Sequence, residues 1–392
     1  MKNRLHIGIN MITSNETLRG TDRYITEILH QLTIMDSTNQ YFIFYAHWQK
    51  FVKPLTASNF RFIQMVPPKG TLLRAFWQAL IFPKVVKKYQ LDVLHYTNPI
   101  PILKRCCPLV VTIHDLAEFV QPEKYGALKS YAKRLFVLLC VKKAHFIITV
   151  SDATRRTILG LLDCPPEFID VTPEGIALNL SVDTSDGEHI FEKYHIPRNY
   201  LLSVGVIEKT KQVESIVKAF SLLDDSLQKD YAIVIAGNRG NAYEDVRDAV
   251  RDSKLEKKVF FLGYVQDNDL KYIYQKAKVF VFPSLIEGFG LPVLEAMGHR
   301  IPVIASDIPV IAEVAGDAAV LVDPHDITAL SDAMSKVLQD GEMRKALIVK
   351  CSERIKDFSW ENTARKTLAI YKKIGNHLLQ PRKDFCKNKR QD

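Results

Sequence analysis

Two successive series of short apolar segments run along this chain, and stretches of helical periodicity separate the segments. The first series predicts strands at residues 5–10, 41–45, 61–64, 93–95, 109–113 and 146–150, with helices at 21–35, 72–89, 125–143 and 152–161. The second predicts strands at residues 200–204, 231–236, 259–261, 279–282, 302–305 and 319–321. Strands that alternate with helices form parallel sheets covered on both faces. The sequence therefore predicts an α/β protein with two Rossmann-like units.

The length of the chain agrees with this division, because 392 residues exceed one ordinary domain. We predict a first unit over residues 1–185 and a second over 186–357, with the polar stretch 181–188 as the join. A last helix is expected over residues 358–375. A polar, basic tail over 376–392 follows it, and we expect that tail to fray.

The positive charge of the chain is confined to its first half. Residues 1–180 hold 22 Lys and Arg against 13 Asp and Glu, a balance of +9, whereas the remainder balances to zero. Such asymmetry favours an anionic partner for the first half: nucleic acid, an acidic substrate or a phospholipid surface. No recognised nucleic-acid module or aromatic-basic repeat is present, so we expect no nucleic-acid partner.

The sequence does not predict a membrane span, a secretion signal or a disulfide framework. No apolar run approaches the roughly 18 residues of a transmembrane helix, and the first ten residues fit a strand better than a signal peptide. The six cysteines include an adjacent pair, Cys106 and Cys107, but no Cys-x-x-Cys. We therefore expect a reduced, cytoplasmic protein.

One segment carries most of the chemical information. Glu287 and Glu295 lie eight residues apart, the first beside Gly288 and Gly290 and the second in a predicted helix with Pro292 near its start. The segment follows a predicted strand, so a glycine turn and a helix N-terminus meet at the carboxyl edge of a sheet. This arrangement favours a site for an anion and for sugar hydroxyls.

Other interpretations of these acidic residues deserve comparison. Glu295 alone could simply complement the helix dipole, and a glycosidase pair of Glu287 and Glu295 fits a phosphate-binding turn poorly. The pair Asp267 and Asp269 fits a metal-binding Asp-x-Asp pattern, but its position before a helical run favours an N-cap and a first-turn residue. We expect no metal cofactor.

The segment from Pro283 to Met297 is similar to the E-x7-E signature of the retaining GT-B glycosyltransferases of family 4. Other segments resemble landmarks of that family in its order: Thr112-Ile-His-Asp-Leu116, Thr149-Val-Ser-Asp152, Thr172-Pro-Glu-Gly175, Ser203-Val-Gly205, Lys211, Ala236-Gly237, Gly263-Tyr-Val265, Ser306-Asp-Ile-Pro309 and Val322-Asp-Pro324. The resemblance extends over roughly residues 4 to 375.

The resemblance implies a GT-B fold, in which two Rossmann-like domains face each other across a cleft. The first domain would hold the acceptor and the second the nucleotide-sugar donor, and the last helix, 358–375, would cross back to the first domain. Because retaining enzymes of this type are thought to react on one face of the sugar, no enzyme nucleophile is implied.

The resemblance also implies roles for individual residues. Glu287 would contact the donor sugar, Glu295 would bind the ribose, and Lys211 would neutralise the diphosphate. His114 would lie near the transferred sugar, although a His-Asp pair at a strand end is by itself more often structural. Gly20 would lie in the first glycine loop. The remaining expected donor-binding positions are Gly205, Gly288, Phe289, Gly290 and Leu291.

Some positions depart from the family pattern. Val206 and Thr210 stand where an arginine is common, so one cation remains where two are usual. Lys209 and Arg19 are the candidates to replace the missing cation, and the first loop has one glycine where a pair is frequent. These departures keep open a non-catalytic, nucleotide-binding subunit as the alternative to an active enzyme. The E-x7-E pairing argues against an epimerase of the same fold.

Transfer of a hexose from a nucleotide-diphosphate sugar to a glycan or lipid-linked acceptor is the function that the resemblance implies, in bacterial surface-polysaccharide synthesis. GDP-mannose or a UDP-hexose would be the first donors to test. An alternative is a basic membrane-surface binding module.

The predicted helices 72–89 and 125–143 carry lysine and arginine that fit docking to anionic lipids, which would place the protein at the inner face of the membrane. The competing interpretation is that both helices cover a sheet with their apolar residues and expose solvated basic faces.

Overall fold

A computed structural model describes residues 2–16, 20–52, 55–103, 105–120, 127–176 and 187–376. Contacts divide the chain into two compact units: unit 1 comprises Met1–Gly175 and Trp360–Asp392, and unit 2 comprises Ile176–Ser359. The predicted join at 181–188 falls largely in the stretch 177–186, outside the described residues, and so does the predicted tail beyond residue 376.

Unit 1 is built on a seven-stranded parallel sheet in the order β3-β2-β1-β4-β5-β6-β7. Its strands are β1 (His6–Asn10), β2 (Gln40–Ala46), β3 (Phe60–Met65), β4 (Val93–Tyr96), β5 (Leu109–Ile113), β6 (Phe146–Thr149) and β7 (Ile169–Val171). The six strands predicted here are confirmed within one residue at each end. Strand β7 was not predicted, because three residues with a central aspartate show no hydrophobic pattern.

The helices of unit 1 are α1 (Gly20–Met35), α2 (Thr71–Leu80), α3 (Phe82–Val86), α4 (Ala117–Val120), α5 (Ala127–Lys143), α6 (Asp152–Leu161) and, at the end of the chain, α16 (Trp360–Gly375). Short 3₁₀ turns occur at Lys87–Tyr89 and Pro166–Phe168.

The prediction of one continuous helix over residues 72–89 was wrong. The chain forms α2, α3 and a 3₁₀ turn instead, with Ile81 as both the C-cap of α2 and the N-cap of α3. Pro83 explains the break, because proline lacks the N–H that a continuing helix needs and its ring clashes with the preceding turn.

The two faces of the unit 1 sheet are covered by different helices. Leu94 and Tyr96 point into a core that also contains Phe82 and Val86 of α3 and Val137, Cys140 and Val141 of α5. Side chains alternate across a strand, so His95 points to the opposite face. There its Nδ1 lies 2.6 Å from the hydroxyl of Tyr371 on α16, and its Nε2 lies 2.8 Å from Thr112 Oγ1. The last helix is thus part of unit 1.

Unit 2 is built on a six-stranded parallel sheet in the order β10-β9-β8-β11-β12-β13. Its strands are β8 (Tyr200–Val204), β9 (Ala232–Ala236), β10 (Val259–Gly263), β11 (Val279–Phe282), β12 (Val303–Ser306) and β13 (Ala319–Val322). The prediction of six strands is confirmed. One apolar core of this unit lies beneath α8, α10 and α14, whose inward residues include Phe220, Val246 and Met334.

The helices of unit 2 are α7 (His189–Tyr194), α8 (Val213–Ser221), α9 (Asp225–Asp230), α10 (Tyr243–Asp252), α11 (Asp267–Lys276), α12 (Leu291–Gly298), α13 (Pro309–Ala315), α14 (Ile327–Gln339) and α15 (Gly341–Arg354). Short 3₁₀ turns occur at Lys209–Lys211 and Ile355–Asp357.

Strand order reverses once in each sheet, between β1 and β4 in unit 1 and between β8 and β11 in unit 2. In open parallel sheets, ligands bind outside the carboxyl ends of the strands at such a reversal. The loops after β8 and β11 are therefore the first place to look for a site in unit 2.

Protonation of His95 should destabilise unit 1. Burial, helped by the charge of nearby His114, lowers the pKa of His95 from 6.5 to about 3. A folded-state pKa below the unfolded one gives stability that is complete above pH 6.5 and is lost as the pH falls toward 3. The unfolding free energy should then fall by up to about 1.4 kcal/mol per pH unit below 6.5.

Chemical unfolding of the wild type and of His95→Gln at about pH 7.5 and about pH 5 measures this effect. At the higher pH the His95→Gln variant should be less stable than the wild type, because it disturbs two buried hydrogen bonds. When the pH is lowered, its unfolding free energy should fall by less than that of the wild type. His30→Gln, at an exposed position on α1, is the matched control and should behave as the wild type does. An equal loss on acidification in wild type and His95→Gln would contradict the assignment.

Candidate active site

The loops at the carboxyl ends of β8 and β11 are fastened to each other. The Thr210 carbonyl accepts hydrogen bonds from Ser284 Oγ at 3.1 Å and from the Leu285 N–H at 2.8 Å. Ser306 Oγ, at the end of β12, donates to the Ser284 carbonyl at 2.6 Å. Three neighbouring strands thus hold the two loops in one fixed arrangement.

Lys211 and Glu287 meet where these loops join. The Lys211 ammonium donates to Glu287 Oε1, and the side chains are only 23% and 12% exposed. The same ammonium lies 4.9 Å from the centre of the Phe282 ring, which adds a cation–π contact. The predicted diphosphate cation and the predicted sugar-binding carboxylate are therefore brought together, as an ion pair at the reversal of strand order.

Glycines shape the backbone around this pair. Gly205 has φ +146°, and a Cβ there would meet only Lys211 Cε, at 4.0 Å, so the backbone at Gly205 lies directly beside the lysine stem. A Cβ at Gly237, after β9, would stand 1.8 Å from the Gly205 carbonyl oxygen. Only a residue without a side chain permits this approach between the two loops.

Gly290 forms the turn into α12. Its φ of +96° is left-handed, and a Cβ there would stand 2.6 Å from Ile311 Cδ1. Helix α12 begins at Leu291 with Pro292 in its first turn, as predicted. The preceding Phe289 is buried edge-on against Phe358, with ring centroids 5.7 Å apart, so its side chain anchors the loop. Gly288 lies beside Glu287 in the same loop.

Glu295 is held from the neighbouring helix α11. It is the fifth residue of α12, and its Oε2 accepts a hydrogen bond from the Tyr274 hydroxyl at 3.1 Å. Tyr274, on α11, stacks on His299 with ring centroids 5.2 Å apart. Burial lowers the pKa of His299 to about 4, so its ring is neutral near pH 7 and adds no charge beside Glu295.

Sequence reasoning missed Tyr274 and His299. Tyr274 lies 21 residues before Glu295 on a different helix, and no spacing rule connects them. The positions became neighbours only through the packing of α11 beside α12.

The structure also shows where the residues at the unusual positions lie. Lys209 points to α10, where its Nζ is 3.6 Å from Asp245 Oδ2, and its side chain is 70% exposed. Thr210 is buried and Val206 packs close to Gly240. Lys209 therefore does not replace the missing arginine beside Lys211, and Arg19 lies outside the described residues.

In unit 1, His114 follows β5 directly and is buried. Its Nε2 lies 3.2 Å from the Thr97 carbonyl oxygen, after β4, and its Nδ1 lies 3.6 Å from Glu174 Oε1. The Tyr24 ring packs edge-on at 5.0 Å, and burial raises the pKa of Tyr24 to about 12, so the phenol stays neutral. Glu174, which sequence reasoning left without a role, thus places a carboxylate beside the histidine.

Gly20 and His114 belong to unit 1, whereas Lys211, Glu287 and Glu295 belong to unit 2. Gly20 is the first residue of α1, and a Cβ there would meet no atom within 4 Å. The described surroundings therefore give no steric reason for glycine at this position.

The Asp267–Asp269 pattern is not part of the site. Gln266, not Asp267, is the N-cap of α11, so that detail of the prediction was wrong. Asp269 accepts hydrogen bonds from Lys193 Nζ and the Tyr194 hydroxyl, which lowers its pKa. Within the described ranges, no group of three or more His, Cys, Asp and Glu residues could hold a metal ion.

Comparison with known proteins places this geometry in a family. The model of Glycosyltransferase Family 4 matches residues 19–180, and the model of Glycosyl transferases group 1 matches residues 186–353. The O-antigen chain mannosyltransferase B of Escherichia coli is 29% identical over 372 residues, 91% of this chain and 96% of that protein. The O-antigen chain mannosyltransferase RfbU of Salmonella typhimurium is 31% identical over 287 residues, 73% of this chain and 75% of that protein.

The fold agrees with that of a solved enzyme. Sucrose-phosphate synthase from Thermosynechococcus elongatus superposes with a TM-score of 0.77 at 18% identity, over 94% of this chain and 99% of that one. Similarity at this level of identity shows the fold alone. Together with the family matches, it confirms the resemblance predicted from the sequence: the chain belongs to the family 4 glycosyltransferases with the GT-B fold.

Proposed function

We propose that this glycosyltransferase moves a hexose from a nucleotide-diphosphate sugar to a glycan or lipid-linked acceptor in bacterial surface-polysaccharide synthesis. The contact between Lys211 and Glu287 at the carboxyl ends of β8 and β11 carries the proposal. The O-antigen mannosyltransferases among the relatives support mannose, with GDP-mannose as the first donor to test and UDP-hexoses next.

The donor would lie across the reversal of strand order in unit 2. Its diphosphate would sit between the Lys211 ammonium and the start of α12, where the helix dipole and the first N–H groups favour an anion. The ribose hydroxyls would donate to the Glu295 carboxylate, and the sugar hydroxyls to Glu287. Backbone groups of Gly288, Phe289, Gly290 and Leu291 line the same turn.

In the transfer step, the bond between the anomeric carbon and the diphosphate oxygen breaks, and its electron pair leaves with the nucleoside diphosphate. Lys211 would stabilise the charge that develops on that oxygen. The acceptor hydroxyl would attack from the same face, so the anomeric configuration is retained, and its proton would pass to the departing diphosphate. This scheme assigns the charge of the leaving group to Lys211 and the start of α12, and uses no metal ion.

His114 would order the transferred sugar from unit 1. Its contact with the Thr97 carbonyl and with Glu174 fixes the plane of the ring. Because both ring nitrogens are engaged, a sugar hydroxyl would reach the ring by replacing the longer contact, from Nδ1 to Glu174 Oε1 at 3.6 Å.

Loss of the Lys211 ammonium should reduce turnover strongly. Lys211→Ala removes a fixed positive charge from the leaving group, a change that typically costs about a hundredfold or more in kcat. Glu287→Gln keeps the shape of the side chain but removes its charge, and should also lower kcat. The measurement is donor hydrolysis and transfer with GDP-mannose, UDP-hexoses and ADP-glucose.

Lys209→Ala is the matched control, because Lys209 is exposed and points to Asp245. It should keep wild-type turnover. In another outcome, a donor stabilises the wild type against thermal unfolding but is not hydrolysed, and its sugar is transferred to no glycan or lipid-linked acceptor. That result would support the non-catalytic subunit instead. No response to any nucleotide sugar would contradict the proposal.

Tyr274 should act as a positioning residue for Glu295. Tyr274→Phe removes one hydrogen bond to the carboxylate and leaves the ring stacked on His299. We expect donor KM to rise by about fivefold, the value of one ordinary hydrogen bond, with kcat little changed. Tyr264→Phe, at an exposed tyrosine of the same unit, is the control. A fall in kcat with unchanged KM would contradict this role.

A further inference from the structure

Helix α2 exposes large apolar side chains that an ordinary surface helix would bury. Leu72, Leu73 and Phe76 are 60%, 66% and 58% exposed, and Leu80 is 47% exposed. At 3.6 residues per turn these four side chains lie within an arc of about 100°. We call them the α2 face. The interpretation that the apolar residues of this segment cover the sheet was therefore wrong for these four residues of α2, although Ala75, Trp77 and Ala79 do face unit 1.

The opposite side of α2 explains this orientation. Ala75 and Ala79 are buried, and so are Arg74 and Gln78, at 6% and 4% exposed. Arg74 donates to the Lys69 carbonyl at 2.7 Å, and Gln78 Oε1 accepts from Asn10 Nδ2 at 2.8 Å. Small residues, satisfied polar groups and the partly buried Trp77, which packs against the core of unit 1, hold the helix in place, whereas the α2 face points away from that contact.

The stretch of chain that contains α2 carries no acidic residue. Residues 37–91 contain eight Lys and Arg and no Asp or Glu. Lys69, just before α2, is exposed, and so are Lys84, Lys87 and Lys88 just after it. Much of the charge excess of the first half is therefore gathered beside exposed apolar side chains.

Helix α5 adds a second exposed apolar row. Tyr131, Leu135 and Leu138 are spaced as one helix face and are exposed. The inner side of α5 packs on the same core as α3, so both helices cover one face of the sheet and both turn their outer sides to that side of unit 1.

We propose that this side of unit 1 docks on an anionic lipid bilayer, with the α2 face inserted at the level of the upper acyl chains and Lys69, Lys84, Lys87 and Lys88 at the headgroups. An exposed apolar face beside lysines is the composition that binds membrane interfaces. A protein partner would need an apolar patch bordered by acidic residues, whereas an anionic bilayer supplies both the apolar layer and the negative headgroups by its nature.

The geometry suits a helix that lies on a membrane. A ten-residue helix buries one face in the interface and keeps its other face on the protein. Among the described helices, none is both long enough and apolar enough to cross a bilayer. The proposal is independent of the sugar donor, because the docking surface lies on unit 1 and donor hydrolysis is assigned to unit 2.

Flotation with vesicles tests the proposal on the full chain. The wild type should float with phosphatidylcholine vesicles that contain about 30% phosphatidylglycerol, and much less with phosphatidylcholine alone, since each lysine near an anionic surface adds attraction. Leu72→Ser/Phe76→Ser/Leu80→Ser should lower the partition coefficient at least about tenfold, because three large apolar side chains lose their burial. Lys84→Gln/Lys87→Gln/Lys88→Gln should lower it as well and weaken its dependence on salt.

Matched triple variants control for apolar and charge content. Leu161→Ser/Leu222→Ser/Val349→Ser changes exposed apolar residues elsewhere, and Lys229→Gln/Lys257→Gln/Lys336→Gln changes exposed lysines of unit 2. Both should float as the wild type does. The α2 face variant should keep wild-type circular dichroism and donor hydrolysis, so that lost flotation reports lost docking and not a failed fold or a failed enzyme.

Three results would overturn the proposal. The first is a wild type that does not float with anionic vesicles. The second is an α2 face variant that floats as well as the wild type, which would place any membrane contact elsewhere. The third is a wild type that is dimeric in light scattering and binds no vesicles, together with an α2 face variant that is monomeric. This result would make the surface an interface between copies of the chain.

Discussion

Parallel pairing of β8 with β11 is the constraint on which the candidate site in unit 2 depends. The two strands are neighbours in the sheet, although the residues at their ends lie far apart in the chain. Lys211 and Glu287 are 76 positions apart and still form a hydrogen bond. The Thr210 carbonyl, shared by Ser284 and Leu285, then fixes the two loops to each other. A change of strand order would separate every one of these groups.

The charge balance of the pair follows from its environment. Both side chains are mostly shielded from water. An unpaired charge in such an environment would be costly, so each charged side chain stabilises the other. A donor phosphate that approaches Lys211 would offer more negative charge than the carboxylate does. Glu287 would then be released toward the sugar hydroxyls at the moment when the donor arrives, so that binding of the diphosphate prepares the sugar subsite.

The sequence predicted strands well because buried parallel strands are short β-branched runs that local pattern reveals, as at β5 and β8. It predicted the site loops because glycine and proline mark turns directly, as at Gly290 and Pro292. Periodicity could identify an amphipathic α2 but could not show which side faces the sheet. The direction of Lys209 and the contact of Tyr274 with Glu295 also depend on packing between distant elements, which no local pattern encodes.

The position of α16 in unit 1 bears on how the protein is made. Tyr371 and Ile374 of this helix are buried, and Tyr371 bonds to His95 at the centre of the first sheet. Domains fold as units while the chain leaves the ribosome. Unit 2 is complete once Ser359 has emerged, whereas unit 1, begun first, waits for residues 360–375. Unit 1 therefore finishes folding after unit 2, and its sheet face near His95 stays uncovered until residues 360–375 have been synthesised.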